Sequence, residues 1–232
     1  IGEFGLIHRL TENISPRNAS TIKGIGDDAA VLDYDNKRVL VTTDLLLEGI
    51  HFDLTYVPLK HLGYKSAVVN FSDIYAMNGR PRQITVSLGI SKRFSIEDLE
   101  ELYSGIRLAC DIYGVDLVGG DTSASMTGLA ISITCIGAVS YTHLTLPTKL
   151  EAAYMGLQLL EREKNVFAGE RDFTPAFEGR EYILERQLKP EARKDIIDEL
   201  AKHHIVPTAM MDISDGLSSE LLHICRQSHT GC

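Results

Sequence analysis

Short apolar runs rich in β-branched residues recur through the first 139 residues and predict a series of strands. Residues 30–32 and 39–41 form such runs, separated by the turn-like Asp35-Asn36-Lys37. Residues 84–90 alternate between apolar and polar side chains, and residues 115–118 form a further short run. Residues 129–139 are apolar at successive positions. Because a strand that is apolar on both faces belongs in the middle of a sheet, we predict that residues 129–139 form a central strand.

Helical periodicity appears in three segments of the same region. Residues 3–13 predict a short amphipathic helix and residues 58–79 a long one, which Gly79 should end and Pro81 should keep from continuing. Ser95 and Asp98 resemble a capping box, which predicts a helix from there to residue 113 with Gly114 at its C-terminus.

The helix at residues 58–79 carries a polar stripe at helical spacing. Ser66, Asn70 and Asp73 share one face of a helix that is otherwise very apolar. On a surface helix such a stripe would be unremarkable. A largely buried helix is different because a buried carboxylate needs a partner, so we predict a metal or hydrogen-bonding role for Asp73.

From residue 140 the sequence changes character. Residues 141–149 contain neither glycine nor an acidic residue and continue no earlier pattern. We predict an N-terminal domain over 1–139, an atypical linker over 140–151 and part of a C-terminal domain over 152–232. Helices are predicted over 152–164, from Pro190 to about residue 203, and over 217–227, with a loop over 165–179. His203 and His204 are interpreted as solvent-exposed rather than as a metal pair.

Composition and charge narrow the possible functions. The chain has 232 residues, 44% of them hydrophobic, and a formal net charge of −9. The negative charge argues against nucleic acid or an anionic membrane as the main partner. Four cysteines without Cys-x-x-Cys spacing favour a reducing, cytoplasmic setting. No apolar run reaches the roughly 20 residues of a membrane span, and no signal peptide is expected.

Acidic residues beside glycine or a hydroxyl residue recur along the chain. Asp44 follows Thr42 and Thr43 at the end of the strand 39–41, where oxygen ligands suit Mg²⁺. Two carboxylates about 4 Å apart repel by about 4 kcal/mol at an effective dielectric constant near 20. Either these segments are scattered on the surface, or they converge on a site with several metal ions. The other members of the set are Asp27, Asp28, Asp73, Asp121, Asp212 and Asp215.

Two glycine-rich segments are candidates for nucleotide binding, and only the second is retained. Residues 24–29 match a dinucleotide fingerprint on paper, but a strand rather than a helix should follow, and Asp27 and Asp28 would repel bare phosphate. Gly119 and Gly120 instead follow a strand and would let backbone amides approach a ligand, although a tight turn is the alternative. Ser214 and Asp215 stand at a predicted helix N-terminus, where phosphate or hydrated metal is readily held.

Taken together, these motifs resemble the thiamine-monophosphate kinase family, within the aminoimidazole-ribonucleotide-synthetase-like superfamily of ATP-using enzymes. The matching segments are Gly-Glu-Phe at 2–4, Gly-Ile-Gly-Asp-Asp-Ala-Ala at 24–30, Thr-Asp at 43–44, Glu-Gly-Ile-His-Phe at 48–52, Asn-Phe-Ser-Asp at 70–73, Gly-Gly-Asp-Thr at 119–122 and Met-Asp-Ile-Ser-Asp-Gly at 211–216. The resemblance covers residues 2–139 and resumes from about 152. The Glu-Gly-x-His-Phe segment points to the thiamine branch.

The resemblance implies an α+β (α/β-like) fold: an N-terminal mixed-sheet domain with helices on one face, which binds ATP and Mg²⁺ and forms a homodimer, followed by part of a second α/β domain. It implies ATP-dependent phosphorylation of thiamine monophosphate to thiamine diphosphate by direct in-line transfer assisted by several Mg²⁺ ions. His51 would contact thiamine monophosphate, and Tyr103, Gly120 and Ser214 would contact ATP. The metal ligands would be Asp28, Thr42, Thr43, Asp44, Asp73, Asp121, Asp212 and Asp215.

The chemistry of the residues is consistent with that activity. A phosphate monoester, with a second pKa near ~6, is largely ionised at neutral pH, so the acceptor needs no general base. No side chain is therefore assigned as a catalytic acid or base. Bringing two polyanions together requires cations and in-line positioning, which clustered carboxylates with Mg²⁺ would provide.

The sequence departs from the family pattern in two places. The family continues after the strand at 129–139 with an Arg-Ser-Gly-Ala run whose arginine reaches ATP, whereas residues 141–150 lack it, and we interpret that segment as a replacement of native sequence. The family also extends beyond Cys232. The alternatives are another ATP-using enzyme of the superfamily, of the selenophosphate or purine-intermediate type, or a non-catalytic fragment that binds metal or nucleotide.

Overall fold

The computed structural model describes residues 9–12, 16–25, 29–35, 37–139, 150–167, 177–205, 207, 209–213 and 216–231. Within these residues a six-stranded sheet has the order β1-β2-β3-β6-β4-β5. The strands are β1 (Thr21–Lys23), β2 (Ala30–Tyr34), β3 (Lys37–Leu47), β4 (Gly79–Ile90), β5 (Asp116–Ala124) and β6 (Leu129–Val139). The helices that follow residue 58 are α1 (Leu59–Ala76), α2 (Ile96–Tyr113), α3 (Leu150–Phe167), α4 (Glu181–Leu188), α5 (Lys194–Lys202) and α6 (Leu217–Ser228).

The sheet is mixed, as an α+β fold requires. Neighbouring strands pair antiparallel except β4 and β5, which are parallel and joined by the crossover helix α2. Strand β6 lies between β3 and β4, and Ile131, Ile133 and Cys135 have no exposed surface. The predicted α+β class and the predicted central strand over 129–139 are therefore confirmed.

Helices α1 and α2 cover one face of the sheet and pack closely against each other. A Cβ atom added to Gly63 would stand 2.0 Å from the Leu102 carbonyl oxygen, and one added to Gly105 would stand 1.9 Å from that of Lys60. Only glycine permits this approach of the two backbones. The close crossing fixes α1, and with it Asp73, relative to the sheet.

The capping prediction for α2 is confirmed. The Ser95 side chain accepts a hydrogen bond from the Asp98 amide, and the Asp98 carboxylate accepts one from the Ser95 amide. Gly114 ends the helix in the left-handed conformation with φ of 69°. Both termini follow from local sequence because each requires a residue type that few others can replace.

The end of α1 differs from the prediction. The helix stops at Ala76, and Asn78 (φ 49°) makes the left-handed turn that was assigned to Gly79. Gly79 instead begins β4, where a Cβ atom would stand 2.4 Å from Leu40 Cδ1. Pro81 lies within β4 before the pairing with β5 begins at Gln83, so its missing N–H costs no ladder bond on that side.

The short strand predicted over 115–118 is wrong in extent. Strand β5 runs through Gly119, Gly120 and Asp121 to Ala124, with a register shift where Thr85 follows Ile84 on the partner strand. The shift absorbs one residue of β5, as a β-bulge does. The glycine pair therefore lies inside an edge strand and does not form a turn.

The helix predicted from Pro190 to about residue 203 is present as α5, but it begins four residues later, at Lys194. Helix α4, which ends at Leu188 before Pro190, was not predicted. Ala192, Ile197 and Leu200 join the same apolar core as the sheet and α1. Tyr113 holds this segment by exchanging hydrogen bonds with the Ala192 backbone, at 3.0 and 3.3 Å.

The remaining predictions for the second part have mixed outcomes. The helices predicted over 152–164 and 217–227 are present as α3 and α6. Most of the helix predicted over 3–13, residues 140–149 of the atypical segment and most of the loop over 165–179 lie outside the described residues. The division into domains at 139 and 152 stays a prediction. Among the described helices, none is long and apolar enough to cross a membrane.

Candidate active site

A buried polar contact joins β3 to α1. The Thr42 hydroxyl donates a hydrogen bond of 2.6 Å to Asp73 Oδ2, and Thr42 is 8% exposed. The two residues are brought together because Thr42 lies on the face of β3 that α1 covers, alongside the buried Leu40 and Leu46. Asp73 thus has a hydrogen-bonding role, as the polar stripe on a buried helix predicted.

Asp44 lies on the same face, two residues further along β3. Its backbone amide donates to Asn70 Oδ1 at 3.2 Å, and Asn70 Nδ2 in turn donates to the Ser66 carbonyl at 3.1 Å. The Ser66 hydroxyl donates to the Gly63 carbonyl at 2.9 Å. The stripe predicted on α1 therefore forms a chain of buried hydrogen bonds that fixes the backbone of β3 at Asp44.

The Asp44 carboxyl group is in an unfavourable environment for a charge. Burial raises its pKa above the ordinary value of 3.8, and the nearby His51 opposes that shift. A raised pKa means that the ionised form lacks enough compensating positive charge. A bound cation would supply that charge, so the carboxylate oxygens of Asp44 fit a hard cation such as Mg²⁺, and Asp73 and Thr42 are further candidate donors on the same side of the sheet.

Thr43 points away from this group. Its hydroxyl donates to the Ile133 carbonyl at 3.1 Å and accepts from Thr134 Oγ1 at 3.1 Å, and its side chain is exposed. Successive strand residues face opposite sides of a sheet, and Thr42 faces the helices. The Thr43 hydroxyl therefore lies on the face of the sheet opposite helices α1 and α2, which we call the open face.

Gly120 and Asp121 lie on the edge strand β5. Gly120 pairs with Val86, in the same row across the sheet as Asp44 and Ile133. A Cβ atom on Gly120 would stand 1.8 Å from the Val86 carbonyl oxygen, which explains the need for glycine there. Asp121 pairs with the exposed Ser87, so it lies on the open face. The structure does not place Asp121 on the face that holds Asp44.

His51 lies in a tight turn that follows β3. The Gly49 amide donates to the Phe52 carbonyl at 2.8 Å, and the His51 amide donates to the Leu47 carbonyl at 2.9 Å. Gly49 has φ of 78°, and Phe52 is buried. His51 itself is exposed, and its Nδ1 accepts a hydrogen bond of 2.9 Å from the Leu47 amide.

Tyr103 lies on the outer side of α2. Its ring packs partly against the core and lines a shallow surface groove with Ile96, Leu99, Glu100 and Arg107. Apolar walls with one guanidinium and one phenol are suited to a flat aromatic ring.

Three other residues of the predicted site, Asp28, Ser214 and Asp215, lie outside the described residues, as does Asp27. Asp212 is described and half-buried. Within the described part of the chain, no group of three or more His, Cys, Asp or Glu side chains could hold a metal ion. The structure joins Thr42 to Asp73 by a hydrogen bond and places Asp44 two residues further along the same face of β3, with His51 close to Asp44.

A second polar cluster escaped the sequence analysis. The Tyr56 hydroxyl donates to Glu161 Oε1 at 2.7 Å, and Lys164 Nζ donates to Asp53 Oδ2 at 2.5 Å. These contacts tie the segment after His51 to α3. The Lys164 partner holds the pKa of Asp53 at about 2. Pairs more than a hundred positions apart leave no local signal, so sequence spacing could not have revealed them.

The two histidines at the end of α5 are exposed, as predicted. His203 also has an acidic neighbour on the same helix, since its Nε2 is 3.3 Å from Glu199 Oε2. Residues four apart on a helix face the same side, which is a signal the sequence did contain.

Comparison with known proteins places the sheet and its helices in a class. The family described as AIR synthase related protein, N-terminal domain, matches residues 26–139, which include β2 to β6, α1 and α2. The sheet and the two helices that pack on it therefore form a domain of this class.

The particular family follows from relatives that span nearly the whole chain. A thiamine-monophosphate kinase of Aquifex aeolicus is 32% identical over 98% of this chain and 71% of its own length. One of Bacillus subtilis is 30% identical over 97% of this chain and 70% of its own length. The chain therefore belongs to the thiamine-monophosphate kinase family.

A solved structure agrees with this assignment. The structure described as AaThiL complexed with AMPPCP and TMP is 31% identical to this chain, with a TM-score of 0.80 over 98% of this chain and 71% of the other. The resemblance stated from the sequence motifs is confirmed at the level of the family.

Proposed function

We propose that the chain catalyses ATP-dependent phosphorylation of thiamine monophosphate to thiamine diphosphate. Membership of the thiamine-monophosphate kinase family is the observation that carries this proposal. The relative solved with AMPPCP and TMP supports it because one ligand is an ATP analogue. The Thr42–Asp44–Asp73 group supports it further, as a junction of oxygen ligands on the helix-covered face of the sheet.

Asp44 and Asp73 would hold Mg²⁺, with Thr42 orienting the Asp73 carboxylate. The raised pKa of Asp44 is the physical reason, since a cation beside that buried carboxyl would offset its unfavourable charge. The predicted ligands Asp28, Thr42, Asp121, Asp212 and Asp215 stay predictions. Thr43, whose hydroxyl lies on the opposite face of the sheet, is not included in this proposal. When bound, Mg²⁺ supplies positive charge that stabilises the transferring phosphoryl group.

The residues of this chain would bind and orient the two substrates, and transfer would be direct and in-line. The acceptor phosphate is already ionised at neutral pH, so no side chain has to remove a proton. His51 would hold thiamine monophosphate near Asp44. Gly120 would let the β5 backbone lie close to the nucleotide, and Ser214 would contact it from the start of α6.

Tyr103 would bind the adenine ring in the groove on α2. Ile96 and Leu99 supply apolar walls there, and Arg107 supplies a cation able to stack on a π-system. Because adenine is flat and largely apolar on its faces, this lining is suited to it.

The assembly and location of the chain are also proposals. We propose a homodimer formed through the open face of the sheet, where Thr43, Thr85, Ser87 and Thr134 are at least partly exposed. Within the described residues, helices α1 and α2 pack on the other face. A cytoplasmic location follows from the free cysteines, of which Cys110 and Cys135 are buried.

The direct test is formation of thiamine diphosphate from ATP and thiamine monophosphate, followed by chromatography, with and without Mg²⁺. Thiamine and inorganic phosphate serve as control acceptors in place of thiamine monophosphate. Thiamine diphosphate formed only with both ATP and Mg²⁺ supports the proposal. No product from the purified chain at any Mg²⁺ concentration, with both substrates shown to bind, contradicts it and favours a binding role.

A further inference from the structure

The turn that carries His51 continues directly into a second turn over residues 53–57. The Asp53 carbonyl accepts a hydrogen bond from the Val57 amide at 3.0 Å, and the Val57 side chain packs against the apolar core. Phe52, which closes the first turn through its carbonyl, is buried in that core. Because Phe52 alone separates His51 from Asp53, a displacement of the second turn is passed to the first.

Helix α3 meets the polar side of the second turn with a complementary pair of side chains. The Tyr56 hydroxyl donates to Glu161 Oε1 at 2.7 Å, and Lys164 Nζ donates to Asp53 Oδ2 at 2.5 Å. Lys164 Nζ also lies 5.9 Å from the centre of the Tyr56 ring. Glu161 and Lys164 are three positions apart and so lie on one side of α3. The turn is therefore docked on the helix at two points.

The Tyr56 bond is the stronger of the two contacts. Tyr56 and Glu161 are both partly buried, and burial together with the Glu161 carboxylate raises the pKa of the Tyr56 hydroxyl, which therefore stays protonated and acts as the donor. A hydrogen bond to a carboxylate is stronger than one between neutral groups. The Lys164 and Asp53 side chains are 36% and 26% exposed, and ion pairs in that setting contribute little.

We propose that the hydrogen bond from Tyr56 to Glu161 fixes the turn that carries His51, which makes Tyr56 a positioning residue for thiamine monophosphate. This proposal rests on the proposed function, in which His51 holds that substrate. Tyr56 acts through the backbone of residues 51–56 and does not itself touch the substrate. Since α3 follows β6 in the chain, binding of the acceptor then depends on a helix from the second part of the chain.

Hydrogen exchange tests the positioning role without any substrate. Tyr56→Phe removes the hydroxyl and keeps the ring beside Lys164. Exchange is followed by mass spectrometry on peptides that span residues 47–57, where the Gly49 and His51 amides donate within the first turn. We expect exchange in this segment to become about 3- to 10-fold faster, the range for one lost hydrogen bond. Unchanged exchange overturns the proposal.

Tyr113→Phe is the matched control. The Tyr113 hydroxyl also ties the first part of the chain to the second, through the Ala192 backbone at 3.0 and 3.3 Å. Its loss should lower the melting temperature and leave exchange over residues 47–57 unchanged. Equal acceleration by Tyr113→Phe and Tyr56→Phe overturns the proposal, because the turn would then respond to any loosened contact between the two parts.

A substrate measurement separates positioning from general loosening. In Glu161→Gln the side-chain oxygen still accepts from Tyr56, whereas Glu161→Leu offers no acceptor. Titration calorimetry in Mg²⁺ should show thiamine monophosphate binding about 3- to 10-fold more weakly to Tyr56→Phe and to Glu161→Leu. Glu161→Gln should retain most of the affinity, and AMPPCP should bind all the variants alike. An equal loss for both ligands, or no rescue by Glu161→Gln, overturns the proposal.

Failure of this proposal and failure of the proposed function give different results. If the turn loosens and thiamine monophosphate binds more weakly as expected, yet the unaltered chain forms no thiamine diphosphate, the proposed function fails and the positioning role stands. If thiamine diphosphate forms and Tyr56→Phe binds thiamine monophosphate as tightly as the unaltered chain, the positioning role fails alone. If the unaltered chain binds no thiamine monophosphate, both fall.

Discussion

The Thr42 hydroxyl and the Asp73 carboxylate form a hydrogen bond of 2.6 Å between strand β3 and helix α1. Leu40, Phe71 and Ile74 on the same two elements are fully or almost fully buried, so the boundary is largely apolar apart from this bond and the one between Asp44 and Asn70. The bond from Thr42 holds the Asp73 carboxylate at a fixed place on the face of β3 that also carries Asp44. A hydrogen bond to a charged group contributes roughly 1.5–3 kcal/mol when both partners are buried.

Replacing Thr42 by valine tests whether this bond prepares Asp73 for a cation. We expect Thr42→Val to lower the free energy of unfolding by about 1–3 kcal/mol because the half-buried Asp73 carboxylate loses this hydrogen bond. The variant should also weaken Mg²⁺ binding, measured as the shift in melting temperature between Mg²⁺ and excess chelator.

The matched control is Thr43→Val. The Thr43 hydroxyl bonds to Ile133 and Thr134 on the open face, so its loss should leave the Mg²⁺ shift unchanged. If Thr43→Val abolished the Mg²⁺ shift while Thr42→Val preserved it, the metal would depend on Thr43, and our assignment to Thr42 and Asp73 would be wrong.

The helix crossing should tolerate no side chain at its two glycines. A Cβ atom at Gly63 or Gly105 would meet a backbone carbonyl oxygen at 2.0 or 1.9 Å, and backbone cannot move aside cheaply. We expect Gly63→Ala and Gly105→Ala each to lower the free energy of unfolding by at least about 1–3 kcal/mol, the usual cost of overpacking. Denaturant titration followed by circular dichroism measures the change.

Gly119→Ala is the control for that series, since a Cβ atom there would meet nothing within 4 Å. It lies in a strand and lacks positive φ, so its effect on stability should be small. Equal destabilisation by all three substitutions would show that the two glycines in the helix crossing have no special role.

The Asp53→Asn variant distinguishes an acidic residue that forms an ion pair from the acidic residues proposed to bind metal. Asp53 and Lys164 form an ion pair with 26% and 36% of their side-chain surfaces exposed. Partly exposed pairs contribute about 0–1 kcal/mol, so Asp53→Asn should cost no more than that. Titration calorimetry should show that Asp53→Asn changes Mg-ATP affinity far less than Asp44→Asn or Asp73→Asn. A comparable loss for all three would contradict our sorting of the acids.

The pH dependence of the Asp53 contribution has a definite sign. Its pKa in the folded chain is about 2, below the ordinary 3.8. A lowered pKa adds stability that is fully present above the ordinary value and is lost as the pH falls toward the folded one. The difference in stability between the unaltered chain and Asp53→Asn should therefore shrink between about pH 4 and pH 2.

Much of the fold could be predicted because its signals are local. The capping box at Ser95, the glycine at 114 and the doubly apolar strand 129–139 each depend on residues close together in sequence. The errors at Asn78 and within β5 arose from tertiary contacts. Gly79 is needed because of Leu40, and Gly120 because of Val86, and neither neighbour is near in sequence.

The candidate site was predictable in part for a similar reason. Periodicity placed Ser66, Asn70 and Asp73 on one helix face, and they do form one polar stripe. Strand alternation could have separated Thr42 from Thr43 by face, had it been applied to their hydroxyl groups. The Asp53–Lys164 pair, whose members are 111 positions apart, depends on how α3 packs, which no sequence pattern here encodes.

The electrostatics of Asp44 give the last prediction, which links metal binding to stability. Burial raises the pKa of Asp44 in the folded chain. Because the pKa is higher in the folded chain, protonated Asp44 favours the folded state. This contribution to the free energy of unfolding is present below the ordinary pKa of 3.8 and is lost as the pH rises through the pKa of Asp44 in the folded chain. Without metal, the chain thus bears the cost of a buried negative charge at neutral pH, and Mg²⁺ should relieve it. The rise in melting temperature caused by Mg²⁺ should therefore grow as the pH increases through that window.

At about 100 times its Kd, Mg²⁺ should add about 2.7 kcal/mol to the free energy of unfolding. Asp44→Asn should be at least as stable as the unaltered chain in chelator at neutral pH, yet respond much less to Mg²⁺. Scanning calorimetry at a series of pH values, in Mg²⁺ and in chelator, measures both effects. An Asp44→Asn variant that is destabilised in chelator and keeps the full Mg²⁺ response would show that Asp44 is a structural carboxylate with its own partner.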